Sequence, residues 1–251
     1  MRDIEDYAQK YVSEPCENYQ VLYRRQKVLE IMANYTHENI LEIGCGLEPL
    51  FPYVDHYKKM FIVEPSRLFV ENIARKIVQY NVQDRVSYVE GFFENEVGRI
   101  KQSGMTFDYI MVGSLLHELE FPEKFLDAVK EICNENTIVH INVPNAKSIH
   151  RLLAKEMGLI TDIYELSDLQ ITMQRKRVFD IDSLSDFVTS GGFEVLESGS
   201  YFPKFLTANQ MEKILEQGIL NDSIFEGLYK LGKFLPEYGS EIYLQLRKRV
   251  D

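Results

Sequence analysis

Apolar residues in the middle of the chain fall into short runs separated by longer amphipathic stretches. Residues 40–43, 60–64, 85–89, 107–112 and 137–143 are runs of strand length, bounded by turn residues. Between them, residues 67–80 repeat apolar side chains at helical spacing, with Leu68, Val70, Ile73, Ile77 and Val78 available for burial. Residues 122–134 read the same way. Strand–helix alternation predicts an α/β fold with a parallel sheet covered on both faces. Upstream, Val21, Leu22, Val28, Leu29 and Met32 make a helical stripe. Downstream, residues 182–192 predict a last sheet-covering helix, 193–201 an alternating strand, 207–236 two helices, and 242–246 a closing strand. The pattern divides the chain into an N-terminal helical cap (1–36), a ligand-binding core (37–145), a lid insertion (146–181) and a C-terminal part of the sheet (182–251) with a helical insertion at about 207–236.

The first strand leads into Glu42-Ile43-Gly44-Cys45-Gly46-Leu47-Glu48. Glycine takes positive φ at no steric cost and lets a ligand approach the backbone, so Gly44 and Gly46 predict a tight turn at the binding edge of the sheet. The second strand ends in Glu64, placed about 20 residues past that turn, where a carboxylate meets ribose hydroxyls in nucleotide-binding folds. Glu42 and Glu48 beside the turn would repel a diphosphate. They suit a nucleoside with a positive charge and no phosphate, as in S-adenosylmethionine, and argue against a nicotinamide-linked oxidoreductase.

From Leu41-Glu42-Ile43-Gly44-Cys45-Gly46, Val63-Glu64-Pro65-Ser66, Glu90-Gly91-Phe92-Phe93, Phe107-Asp108-Tyr109-Ile110 and Ser114-Leu115-Leu116-His117-Glu118, the chain resembles the class I S-adenosylmethionine-dependent methyltransferases. The resemblance implies a Rossmann-like, doubly wound, seven-stranded sheet, mostly parallel, with an antiparallel last strand inserted between the fifth and sixth. It implies N-terminal helices and helical lid insertions around that sheet, and S-adenosylmethionine as cofactor. Cofactor contacts are expected from Tyr19, Glu42, Gly44, Cys45, Gly46, Glu64, Pro65, Gly91, Phe92, Phe93, Gly113, Ser114 and His117. Two departures stand out: the third glycine common in the family is Glu48, and the acid common after the third strand is Phe92, with Glu94 a substitute partner for the adenine amine.

Two histidines are candidate general bases, because an imidazole with a reference pKa near ~6.5 accepts a proton at neutral pH. His117 follows the fourth strand and His150 follows the fifth, both at the binding edge, whereas His37, His56 and His140 read as structural. His150 and Arg151, with Arg175 and Arg177 from the dense basic run Gln174-Arg175-Lys176-Arg177 and with Lys204, are expected to bind the acceptor. Arginine forks hold phosphate or carboxylate at two points, so an anionic acceptor is expected. Pro144-Asn145-Ala146, Ser148 with His150-Arg151, Met157-Gly158-Leu159-Ile160 and Arg177-Val178-Phe179-Asp180 also resemble a bacterial small-molecule branch associated with surface-polysaccharide genes. O-methylation of a small anionic metabolite or sugar-nucleotide-type acceptor is the favoured expectation, and that likeness points to capsule or O-antigen biosynthesis. A non-catalytic S-adenosylmethionine-binding protein and a methyltransferase of a protein substrate are the alternatives.

Composition narrows the partners. The net charge is −11, which disfavours nucleic acid as the acceptor. Three cysteines without a CxxC pair suit a reducing cytoplasm and indicate neither a disulfide framework nor a metal site. No apolar run approaches the ~20 residues that cross a bilayer, so no membrane association is expected. A small-molecule acceptor and a monomer or homodimer complete the expectation.

Overall fold

The computed structural model describes residues 3–13 and 18–250. Helices α1 (Ile4–Ser13) and α2 (Asn18–Met32) precede β1 (Asn39–Ile43) and β2 (Lys59–Glu64). Then come α3 (Arg67–Gln79), β3 (Val86–Glu90), α4 (Phe93–Gln102), β4 (Tyr109–Gly113), α5 (Pro122–Ile132) and β5 (Ile138–Pro144). The remainder holds α6 (Ile149–Glu156), α7 (Asp168–Thr172), α8 (Ile181–Ser190), β6 (Phe193–Tyr201), α9 (Ala208–Glu216), α10 (Asp222–Leu231) and β7 (Glu241–Lys248).

The seven strands form one sheet in the order β3-β2-β1-β4-β5-β7-β6, and β7 alone runs antiparallel, between β5 and β6. This is the Rossmann-like methyltransferase arrangement that the resemblance implied. Parallel strands need helical crossovers, and α3, α4 and α5 supply them. Asp180 and Ser183 form a capping box that starts α8, and Gly158 at φ +71° follows the end of α6.

Alternation along each strand sorts side chains between the two faces. Leu41, Ile43, Ile110, Val112, Val139 and Ile141 pack against Phe93, Phe125, Val129 and Leu184. Ile40, Met60, Ile62, Tyr109 and Met111 face Val28, Met32, Ile73 and Ile77. A third cluster, with Tyr23, Tyr201, Phe202, Phe225 and Tyr243, joins α2 to the C-terminal helices. Two expectations shift in detail. Phe107 is buried ahead of its strand, which begins at Tyr109, and Leu68 and Val78 are exposed while Phe69 takes the buried place on α3.

Ile110 is fully buried on β4, the strand between β1 and β5. Ile110→Ala removes methyl and methylene groups from a closed layer, so an equilibrium denaturation curve is expected to show a loss of about 2–5 kcal/mol.

Candidate functional site

The site starts at the glycine turn. Gly44 (φ +71°) and Gly46 (φ +59°) both lie in the left-handed region that L side chains avoid. A Cβ built at Gly46 meets nothing within 4 Å, so the turn borders open space. The end of β2 fixes this turn: Glu64 is buried, and its carboxylate accepts the Gly46 N–H at 3.0 Å and the Ser66 N–H at 3.0 Å. A carboxylate offers about four acceptor sites, and these two amides set its orientation toward the turn.

A cleft of about 620 Å³ opens above the carboxyl ends of β1, β2, β4 and β5. On one side it takes in Gly44, Cys45, Gly46, Glu64, Pro65 and Ser66, and beyond them Gly113, Ser114 and His117. His150, Arg151, Arg175 and Lys204 line it as well, and the Arg175 run lies beside His117, whose carbonyl accepts the Lys176 N–H at 2.9 Å. Helix α1 crosses it and brings Tyr7 and Tyr11, the latter edge-on to Phe69 at 5.9 Å. The helix is tied down on both sides. The Arg67 N–H donates to Glu5 at 3.1 Å, Tyr7 Oη donates to Glu118 at 3.2 Å, and Gln174 Nε2 donates to the Asp3 carbonyl at 3.1 Å.

Several expected contacts lie outside the cleft. Tyr19 stacks on Phe225 at 3.9 Å, so its ring belongs to the third hydrophobic cluster; Tyr7 and Tyr11 line the cleft instead. Phe93 is core, 5.4 Å from Phe125, while Phe92 precedes α4 half-exposed and Gly91 donates its N–H to the Glu64 carbonyl. Phe69 of α3 is the aromatic side chain on that flank. Arg177 Nη2 donates to the Leu119 carbonyl at 3.4 Å, away from the cleft. Glu42 shares a strand face with Ile40, so alternation sends it under the turn, where both oxygens accept the Leu50 N–H at 3.0 and 3.1 Å. Glu48 does line the cleft, but Lys76 (3.1 Å), Arg25 (3.3 Å) and Tyr53 (2.8 Å) compensate its charge.

Cationic side chains surround His150 in the cleft. His150 Nδ1 is buried without a hydrogen-bond partner, and burial, Lys204 and Arg151 together push its pKa down to about 3. The imidazole is therefore neutral at pH 7. Arg151 is structural as well as cleft-lining: it donates to the Ile163 carbonyl at 2.9 Å, to Gln170 at 3.2 Å and to the Glu165 carbonyl. Arg175 follows Gln174, a non-glycine residue at φ +56°, and its Nε has no partner. Lys204 Nζ donates to Gln20 Oε1 at 2.7 Å. Glu241 was not singled out in the sequence, yet it is fully buried, lines the cleft and gathers Gln20, Arg24, Asn142 and Tyr201. A lone acid beginning a β-strand gives no sign of such a cluster.

A family model described as a methyltransferase domain matches residues 17–198. This chain belongs to the methyltransferase-domain family. Solved structures agree on the fold. A complex between the Haloferax volcanii Trm112 methyltransferase activator and a methyltransferase aligns with TM-score 0.62 and 13% identity, covering 100% of both chains. The [4+2]-cyclase SpnF aligns with TM-score 0.59 and 15% identity, over 90% of this chain and 81% of that one. The N-methyltransferase NodS from Bradyrhizobium japonicum, in complex with S-adenosyl-L-homocysteine, gives TM-score 0.54 and 11% identity over 90% and 86%. No curated protein sequence matches. The protein is an S-adenosylmethionine-dependent methyltransferase, and the cleft fits that cofactor: the Gly46 turn borders open space, and buried Glu64 ends β2, where nucleotide-binding folds place a ribose acceptor. Among the described residues no group of side chains could hold a metal ion, and no helix is long and apolar enough to cross a membrane.

Burial raises the Glu42 carboxyl from an ordinary value of 4.5 to about 8, against the Leu50 amide, which acts to lower it. The native state thus holds a proton that the unfolded chain releases between those values, so this contribution to stability is complete below 4.5 and is lost as pH rises to about 8. Denaturation curves at pH 5 and pH 8 are expected to show a steeper loss in the native protein than in Glu42→Gln. Glu64→Ala is expected to weaken S-adenosyl-L-homocysteine binding about tenfold or more by calorimetry, because a charge-assisted hydrogen-bond acceptor is lost.

Proposed function

We propose that the protein transfers the methyl group of S-adenosylmethionine to an oxygen of a small anionic acceptor of the sugar-nucleotide kind, in capsule or O-antigen biosynthesis. The reading is carried by one observation: one cleft is lined both by the glycine turn and by His150, Arg175 and Lys204. Its volume of about 620 Å³ is in the range of small-molecule sites.

The bound cofactor supplies a methyl carbon already activated by its sulfonium. The protein's part is alignment and the exclusion of water. Arg175 and Lys204 hold the acceptor's anionic group, with Arg151 shaping the lid behind them. His150 takes the hydroxyl proton. In the free protein the charges of Lys204 and Arg151 help to depress its pKa. An anion bound beside them offsets those charges, which moves the imidazole toward the range where a base works best. His117, toward the cofactor side, is the second candidate base. A protein acceptor or activator is the other reading, and the Haloferax complex with its activator is what favours it.

Nucleotide sugars and small phosphorylated metabolites, offered with S-adenosylmethionine, are expected to give a product heavier by one methylene in mass spectrometry. His150→Gln is expected to lower kcat by ~10²–10⁴ with S-adenosyl-L-homocysteine affinity unchanged. Arg175→Ala is expected to raise the acceptor KM about tenfold or more. Product from a protein but from no member of this panel would overturn the small-acceptor reading. Wild-type kcat in His150→Gln would remove the base.

A further inference from the structure

Helix α6 is packed inside out. Arg151 is its buried residue, and the guanidinium donates to the carbonyls of Ile163 and Glu165 and to Gln170. Apolar side chains take the outside: Leu153 is 41% exposed, and Met157 and Leu159, which follow the helix, are 63% and 68% exposed. A single exposed leucine is ordinary on a protein surface. Three such side chains at one helix end, where a buried charge has taken the inner face, form a patch that marks a binding surface.

The patch is continuous with the cleft. His150 and Ala154 are one turn apart on α6, and both line it. At about 100° per residue, Leu153 and Met157 come within about 60° of His150 round the helix, on the side away from Arg151. Gly158 at φ +71° then turns the chain back, so the Leu159 N–H donates to the Ala154 carbonyl at 2.9 Å, and Ile160 lines the cleft. An apolar track therefore leads from Ala154 and Ile160 inside to Leu153, Met157 and Leu159 outside.

We propose that the acceptor is an anionic amphiphile, a phosphate ester of an aliphatic chain. Its head meets Arg175 and Lys204, and its chain leaves the cleft past Ala154 and Ile160 to lie on Leu153, Met157 and Leu159. The proposal rests on the anionic-acceptor reading and changes only what the anion carries: a chain stands where a sugar nucleotide has its nucleoside. Two observations select this occupant over another protein chain. The apolar track begins inside the cleft, where a folded partner's surface does not reach, and cations line that same cleft. An apolar chain on the track and an anion beside Arg175 and Lys204 are then two parts of one molecule.

Methyl phosphate and octyl phosphate test this, because they share one head and differ only in the chain. Each methylene taken out of water is worth about fourfold in affinity. Below its micelle-forming concentration, octyl phosphate is therefore expected to bind the S-adenosyl-L-homocysteine complex about 10- to 100-fold more tightly than methyl phosphate by calorimetry. Met157→Asp combined with Leu159→Asp is expected to cut that preference to about threefold or less, with methyl phosphate unchanged. Both positions are exposed, and S-adenosyl-L-homocysteine binding reports whether the double variant is folded. Arg175→Ala is expected to weaken both phosphates alike, since the head is common to them. Octyl phosphate that binds no tighter than methyl phosphate overturns the inference and leaves the anionic acceptor standing. A preference that survives the double variant, or octyl phosphate binding untouched by Arg175→Ala, does the same. So does a patch that serves only to join two copies of the chain in sedimentation, or only to hold phosphatidylglycerol vesicles, with no preference between the two phosphates. A wild-type protein that binds neither phosphate overturns both readings.

Discussion

A buried carboxylate at the end of β2 holds the molecule's working edge together. Glu64 accepts the amide of Gly46 and the amide of Ser66, so one side chain pins the turn after β1 to the start of the helix after β2. The pinned turn puts this residue at φ +59°, a conformation that L side chains rarely adopt and glycine adopts freely. The cleft exists because the turn is held open there, and each of its other walls is placed by the sheet order around β1.

The charges around that edge are arranged in layers. Beneath the turn, Glu42 is raised to about 8 and so is largely neutral at pH 7. At the rim, Glu48 is compensated by Lys76 and Arg25. At the β7 side, Glu241 is an anion tied to Arg24. The acids that crowd the glycine turn in the sequence therefore act very differently in space. Compensated or neutralised in this way they would repel a diphosphate only weakly, and it is Glu64, the open glycine and the family match that mark the cofactor. The fold neighbours alone would not settle it, since a [4+2]-cyclase shares the architecture.

The same cleft also takes in cations. His150, Arg151, Arg175 and Lys204 come from three separate segments: the start of α6, the stretch after α7 and the loop after β6. Arg151 shows how one cation can be used for architecture, because its donors go to the Ile163 and Glu165 carbonyls and to Gln170. Arg175 and Lys204 add positive charge to the cleft lining. His150 stays neutral because burial, Lys204 and Arg151 oppose protonation.

The sheet and its crossovers were readable along the chain, because strand and helix periodicities are local and burial enforces them. The glycine turn, Glu64 and the placing of His117 and His150 at the binding edge were legible for the same reason: each directly follows a recognisable strand. The alternation that puts Glu42 on the same face as Ile40 was also present in the sequence, and it explains why Glu42 faces the core. Tertiary structure decided the rest. Nothing local shows that Tyr19 stacks on Phe225, that Phe93 packs on Phe125, or that Phe69 rather than Phe92 faces the cleft. The pairing of Arg24 with Glu241 joins residues 217 positions apart. It arises only when β7 inserts between β5 and β6, since long-range packing, and no property of either residue's neighbours, brings the two charges together.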